Sequence, residues 1–300
     1  MSSGELTRID GRPISENPEE IRAFLITWND SLRLESALKH YRQLGVHRFF
    51  VADCGSTDGT LDRLSGAPDV HVFEATGDDS LIWLNTLLNT YGAGHWTLTL
   101  DTSEMLIYPH YEELELPLFC RYLNHLGAQA LPCVALDMYA ASPLADAVHR
   151  PGSPLVGTCS YFDAAPYQMV RTDVCPYFEI HGGLRQRLAG VAASGPPSVL
   201  SRVPLVRWQS GMQYLRGTAN ISPVVTASIM GALLRFDFLS DHRERANSEF
   251  AIDDSTNLYG AASAKFENSA QLVKLGLMTT AKSYEESVRL TSAARTAKSA

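Results

Sequence analysis

Between residues 21 and 101, short apolar runs alternate with segments of helical spacing, and polar turns separate them. IRAFLIT (21–27) reads as a buried strand: short, apolar and closed by the polar break WND. In 34–44, Leu34, Ala37, Leu38, Tyr41 and Leu44 recur at helical spacing, and Gly45 is placed to stop the helix. HRFFVAD (47–53), VHVFEA (70–75) and HWTLTLD (95–101) read as further strands. Between them lie a helical turn at 60–64 and a helix at 80–91, with Ser80 as its cap and Gly92 as its stop. Strand–helix–strand alternation implies parallel strands joined by right-handed crossovers. Ligands of such sheets bind beyond the carboxyl ends of the strands. Asp53 and Asp101 each close an expected strand at that end, which is the physical reason to read both as functional.

Further on, 117–126 is an expected helix ending at Gly127, and 130–139 a fifth strand. Residues 140–183 are rich in Pro, Gly, Ser and aromatics with little periodicity, the mark of a long functional or mobile loop. Segments 200–208 and 224–238 read as later strands. From about 240 the chain turns polar and helical, with a fraying tail at 291–300. The expectation is an α/β chain with a Rossmann-like mixed, mainly parallel sheet flanked by helices. Residues 1–20 are a polar lead-in, 21–240 the α/β domain, and 241–300 a helical C-terminal extension.

Composition narrows the partners. The formal net charge of −8 over 300 residues argues against a nucleic-acid coat. Five cysteines, odd in number and without CxxC spacing, fit neither a zinc cluster nor a disulfide framework and point to a reducing, cytoplasmic setting. The N-terminus has no apolar signal region, and no run approaches the ~18 apolar residues a spanning helix needs. Peripheral membrane contact stays open.

Taken together, ESALKHYRQLGVHRFFVADCGSTDGT, HWTLTLDTSEMLIYP, VPLVRWQSGMQYLRGT and GALLRFDFL resemble the bacterial family-2-type glycosyltransferases of the A-type fold, over about residues 21–290. The resemblance implies transfer of a sugar from a nucleotide-diphosphate donor to a hydroxyl acceptor in polysaccharide or glycoconjugate assembly. It implies that Asp53 accepts a hydrogen bond from a pyrimidine, and that Thr27, Asn29 and Ser56 edge the nucleotide pocket. Asp101 becomes the first acid of a DxD motif, ligating Mg²⁺ or Mn²⁺ beside the diphosphate.

Two positions depart from the family pattern. The usual DADE reads DTSE, so Ser103 replaces the second acid. Alternation along an extended segment would also turn Glu104 away from the Asp101 face. The usual LLHFKF reads LLRFDF, so Arg235 stands where a histidine is common. An arginine cannot ligate a cation, but it pairs well with phosphate. Read as coupled changes, they imply a donor bound with weakly held metal or none, by Arg235 with Arg185 and Arg187 as helpers. The rival reading is a catalytically inactive nucleotide-binding or interaction protein on the same fold.

An inverting enzyme also needs a carboxylate base. Glu179 is preferred, with Asp137 and Asp163 as alternatives. Plainer readings stand beside these. Asp53 fits the cap of its own turn equally well, and Arg235 fits a salt bridge to a core acid such as Asp237 or Asp241. Trp28 is the one tryptophan expected at the ligand edge rather than in the core. STDGTL lacks the nucleophile of the phosphatase motif DxDGT, since Ser56 stands in its place, and no GxGxxG follows the first strand.

Overall fold

The computed structural model describes residues 5–189, 198–242 and 253–298. The apolar runs of the N-terminal third assemble as the alternation dictates. After an edge strand β1 (Glu5–Arg8) come β2 (Arg22–Thr27), α1 (Ser31–Leu44), β3 (Arg48–Asp53), α2 (Thr60–Gly66), β4 (Val70–Thr76), α3 (Ser80–Leu87) and β5 (Trp96–Thr99). Then follow β6 (Glu104–Ile107), α4 (Leu116–His125), β7 (Ala130–Asp137), α5 (Leu155–Thr158), β8 (Tyr161–Asp163), β9 (Tyr167–Arg171), β10 (Phe178–Gly182) and α6 (Gly183–Ala189). The chain closes with β11 (Ser201–Arg207), β12 (Tyr214–Arg216), β13 (Asn220–Ile221), β14 (Gly231–Arg235), β15 (Ser263–Lys265), α7 (Ser269–Lys274) and α8 (Lys282–Lys298).

A nine-stranded mixed sheet in the order β1-β4-β3-β2-β5-β11-β7-β14-β6 forms the centre. Strands β4, β3, β2, β5, β7 and β14 run in one direction, while β1, β11 and β6 run against them. Helices cover both faces. On one face Leu34, Leu38 and Tyr41 of α1, Phe119 and Leu123 of α4, and Tyr284 and Val288 of α8 join one buried cluster. On the other, Trp83, Leu84 and Leu87 of α3 pack with Phe24, Phe50 and Trp208. Burying each such side chain stabilises the fold by roughly 1.5–3 kcal/mol. Gly45 ends α1 in the left-handed conformation (φ 95°), which its lack of a Cβ makes cheap.

Several boundaries differ from the sequence expectation. Residues 5–8 of the lead-in pair with β4 and extend the sheet. The strand expected at 224–238 is regular only from Gly231 to Arg235. The 140–183 stretch carries regular elements too short to show a period: α5, β8 paired with β15, and the β9–β10 hairpin. Gly182 is required in that hairpin, because a Cβ there would run into the Pro166 carbonyl oxygen. Of the expected C-terminal helices, α7 and α8 are present and α8 runs to Lys298 through the expected frayed tail. Residues 243–252 of that expectation lie outside the described residues. Among the described residues no helix is long and apolar enough to cross a membrane.

Candidate active site

At the carboxyl ends of β2, β3 and β5 the loops leave a pocket of about 860 Å³. Its wall is Ile26, Thr27 and Trp28 at the end of β2, Cys54 after β3, Leu81 and Leu84 on α3, and Asp101 after β5. This is where an open α/β sheet is expected to bind. Two loops are laced together beneath it. Asn29 N–H donates to Ser56 Oγ (2.9 Å), and Thr57 N–H donates to Asn29 Oδ1 (2.8 Å). Asn29 holds a left-handed backbone (φ 52°), which asparagine tolerates better than most residues. Asp30 N–H donates to Thr60 Oγ1 (2.9 Å), and Thr27 Oγ1 donates to Asp30 Oδ2 (3.0 Å). Asp58 accepts from Ser31 N–H at the start of α1 (2.9 Å) and from Thr60 Oγ1 (2.6 Å). Burial alone would raise the Asp58 carboxyl, but these hydrogen bonds outweigh it and bring it down to about 2.

Thr27 and Asp53 are register partners, side by side at the ends of β2 and β3. Asp53 is buried. Its Oδ2 accepts from Gly55 N–H (3.1 Å) and Ser56 N–H (2.9 Å), so it does cap its own turn. Its Oδ1 is buried with no hydrogen-bond partner among the described residues. Burial and the neighbouring Asp53 push the Cys54 thiol up to about 11, which keeps it protonated at neutral pH. Trp28 is 49% exposed on the pocket wall, whereas Trp83, Trp96 and Trp208 are buried in the core.

Asp101 lies two residues beyond β5, in a turn and not at the strand end. Its Oδ1 accepts from Ser103 N–H (2.8 Å), and its own N–H donates to Glu104 Oε2 (3.0 Å). The alternation expected for Glu104 fails because residues 101–103 form a turn, and the Glu104 side chain folds back beneath it. Burial and the Asp101 charge raise the Glu104 carboxyl.

The arginines and acids expected at the donor form a separate buried network. Asp137, at the end of β7, accepts from Arg185 Nε (3.1 Å) and from Arg235 Nη2 (2.8 Å). Arg185 Nη2 reaches Asp237 Oδ2 (2.9 Å), whose Oδ1 accepts from Ser103 Oγ (2.9 Å). Asp163 is gripped by Arg187 Nε (2.8 Å) and Nη2 (2.9 Å) and by the Tyr139 hydroxyl. Arg235 is therefore bonded to Asp137, not to the Asp237 or Asp241 named from sequence, and Asp241 belongs to Arg33 (2.5 and 2.6 Å). Arg235, Arg185 and Arg187, expected beside the donor phosphates, each pair with a carboxylate here. Asp137 and Asp163 are likewise sequestered, with side chains 2% and 1% exposed. Glu179 on β10 is held more loosely, 3.4 Å from His181 Nε2 and 3.9 Å from Arg216 Nη1, and Arg216 adjoins Gly217 on the pocket wall.

Sequence reasoning missed most of the acids on the wall. Asp30, Asp58, Asp78 and Asp241 join Asp101 there, and among the described residues no Lys, Arg or His shares the lining. The WND break and the STDGT turn signalled Asp30 and Asp58, since both acids lie just past a strand; nothing local pointed to Asp241. Among the described residues no group of three or more His, Cys, Asp or Glu is arranged to hold a metal ion.

A scan against protein-family models finds no match, and a search of curated proteins finds none. Among solved structures the chain is similar to glucosyl-3-phosphoglycerate synthase from Mycobacterium tuberculosis, in complex with Mn²⁺, UDP and glucosyl-3-phosphoglycerate. The identity is 24% and the TM-score 0.27, over 39% of this chain and 44% of that one. The chain thus spans less than half the length of that synthase. It is also similar to a 4-diphosphocytidyl-2C-methyl-D-erythritol synthase (15% identity, TM-score 0.31, 64% of this chain and 76% of that one). A third is the UTP-bound UGPase from Acinetobacter baumannii (9% identity, TM-score 0.31, 62% and 74%).

Proposed function

We propose that this chain is a glycosyltransferase whose nucleotide-diphosphate sugar occupies the pocket at the ends of β2, β3 and β5. One observation carries the reading: a pocket of donor size at the carboxyl ends of parallel strands joins Thr27, Trp28, Asn29 and Asp101 on one wall. Trp28 provides a face for the base. Asp53 lies behind the lining residues Thr27 and Cys54, and its buried Oδ1 has no partner among the described residues; a base that reached it past them would need an imide N–H, as uracil or thymine has and cytosine lacks. A buried acceptor without a donor costs about 1–3 kcal/mol, which that N–H would recover.

The acidic wall changes the expectation for metal. Among the described residues the lining carries Asp30, Asp58, Asp78, Asp101 and Asp241, an excess of acids facing a diphosphate even with Asp241 paired to Arg33. The arginines that might have replaced a metal are already paired with acids. We therefore propose that the donor enters with Mg²⁺ or Mn²⁺, held by Asp101 and by the diphosphate's own oxygens. Hard ions of this kind often use one or two carboxylates plus substrate phosphates, so a lone acid fits them. When bound, the ion would neutralise charge on the leaving diphosphate.

The acceptor hydroxyl attacks the anomeric carbon, the bond from that carbon to the phosphate oxygen breaks, and the nucleoside diphosphate departs. Glu179 takes the hydroxyl proton, because it alone of the three candidate bases is not locked to an arginine through two hydrogen bonds. Glu179→Gln should lower kcat about 100-fold or more while donor Kd stays within about 2-fold. Equal turnover by the variant would remove Glu179 from the mechanism. The second reading, a non-catalytic nucleotide binder, draws on Ser103 in place of the second acid and on the sequestration of Asp137 and Asp163. Retained nucleotide binding with no donor hydrolysis or transfer would select it.

A further inference from the structure

The opposite end of the sheet carries a second cleft of about 300 Å³, at the amino ends of β2, β3 and β5 and against α4. Its chemistry is the reverse of the acidic pocket. Arg121 on α4 and Arg207 at the end of β11 both line it, and neither has an acidic partner within salt-bridge distance among the described residues. Asn124 Oδ1 accepts from Arg207 Nη1 (3.3 Å) and from the Trp96 indole N–H (3.2 Å). Asn124 stands three residues after Arg121 on the same helix, so the two guanidinium groups share one face of the cleft. His47 Nδ1 accepts from Ile21 N–H (3.1 Å), which leaves the ring proton on Nε2 as a further donor. The buried acid at the cleft, Glu20, is already neutralised by Arg48 (3.1 Å) and Arg22 (3.6 Å). The acid left at the rim is the exposed Glu19. Trp96, Pro117 and Cys120 form the apolar wall.

The geometry points to a binding site for a small multivalent oxyanion, gripped by Arg121 and Arg207 with its body against Trp96 and Pro117. Two unpaired guanidinium forks converging on one cleft suit a phosphate or a carboxylate cluster. The site is separate from the proposed donor pocket and does not depend on it.

The test titrates full-length protein with inorganic pyrophosphate and, separately, with citrate at constant ionic strength. Readouts are tryptophan fluorescence and thermal melting. A saturable response to either anion is expected, pyrophosphate alone indicating a phosphate ligand and citrate alone a carboxylate. In Arg121→Ala/Arg207→Ala the Kd should weaken at least 10-fold with the unliganded melting temperature unchanged, because both side chains are exposed. Trp96→Phe should lose the fluorescence change and keep the melting shift. The proposal is overturned if neither anion gives a saturable response, or if the double variant binds both as the wild type does.

Discussion

Single side chains separate what the sequence presents as equivalent. Asp53 and Asp101 both follow apolar strands, yet Asp53 is buried and caps its turn, while Asp101 stands on the pocket wall in the 101–103 turn. The position of both acids at one end of the sheet was legible from strand order alone. The partners of Arg235, Arg185 and Arg187 were not, because β7, β14 and α6 meet only through long-range packing. Asp137 and Arg235 are register partners 98 residues apart in sequence, and no local pattern forecasts that. Trp28 was legible for a simpler reason: a large aromatic in the polar break after a strand lies outside the core periodicity. Trp28→Ala should weaken nucleotide binding by about 1–2 kcal/mol, roughly 5–30-fold, if the base stacks on it. Calorimetric titration checks this, and unchanged affinity would place the base elsewhere.

At the scale of elements, α1 does more than cover the sheet. The Tyr41 hydroxyl donates to the Glu104 carbonyl (2.8 Å) and accepts from Leu106 N–H (3.0 Å), which satisfies part of the free edge of β6. One residue earlier, burial lowers the His40 imidazole to about 4, with a weak opposing contribution from the Leu106 carbonyl. The unfolded chain therefore binds a proton there that the folded chain resists. The stability that neutral His40 retains is fully present above about pH 6.5 and is lost as pH falls toward 4. Denaturant unfolding at pH 7 and pH 5 should show wild type losing about 2 kcal/mol more than His40→Gln. Parallel losses in the two proteins would mean that His40 titrates normally. The apolar spacing of α1 was readable, including Gly45 at its end. Strand β6 was not, because its four residues directly follow a turn that reads as part of the preceding strand.

Over the whole molecule, charge is divided between the two ends of the sheet. Among the described residues, the carboxyl end gathers five aspartates on one pocket, and the amino end leaves two arginines without acidic partners. The alternation of strands and helices forecast the parallel strands and their flanking helices, but this division arises only when distant loops converge. It also sets the terms on which a nucleotide diphosphate can bind. The most direct measurement is a thermal-shift panel of UDP, TDP, GDP and CMP, each with Mn²⁺ and with EDTA, on wild type and Asp101→Ala. A nucleotide at about 100 times its Kd stabilises by about 2.7 kcal/mol, a shift of about 4 °C. The account predicts that shift for UDP or TDP with Mn²⁺, its loss in EDTA, and its loss in Asp101→Ala. An equal shift in EDTA, or none with any nucleotide, would contradict it.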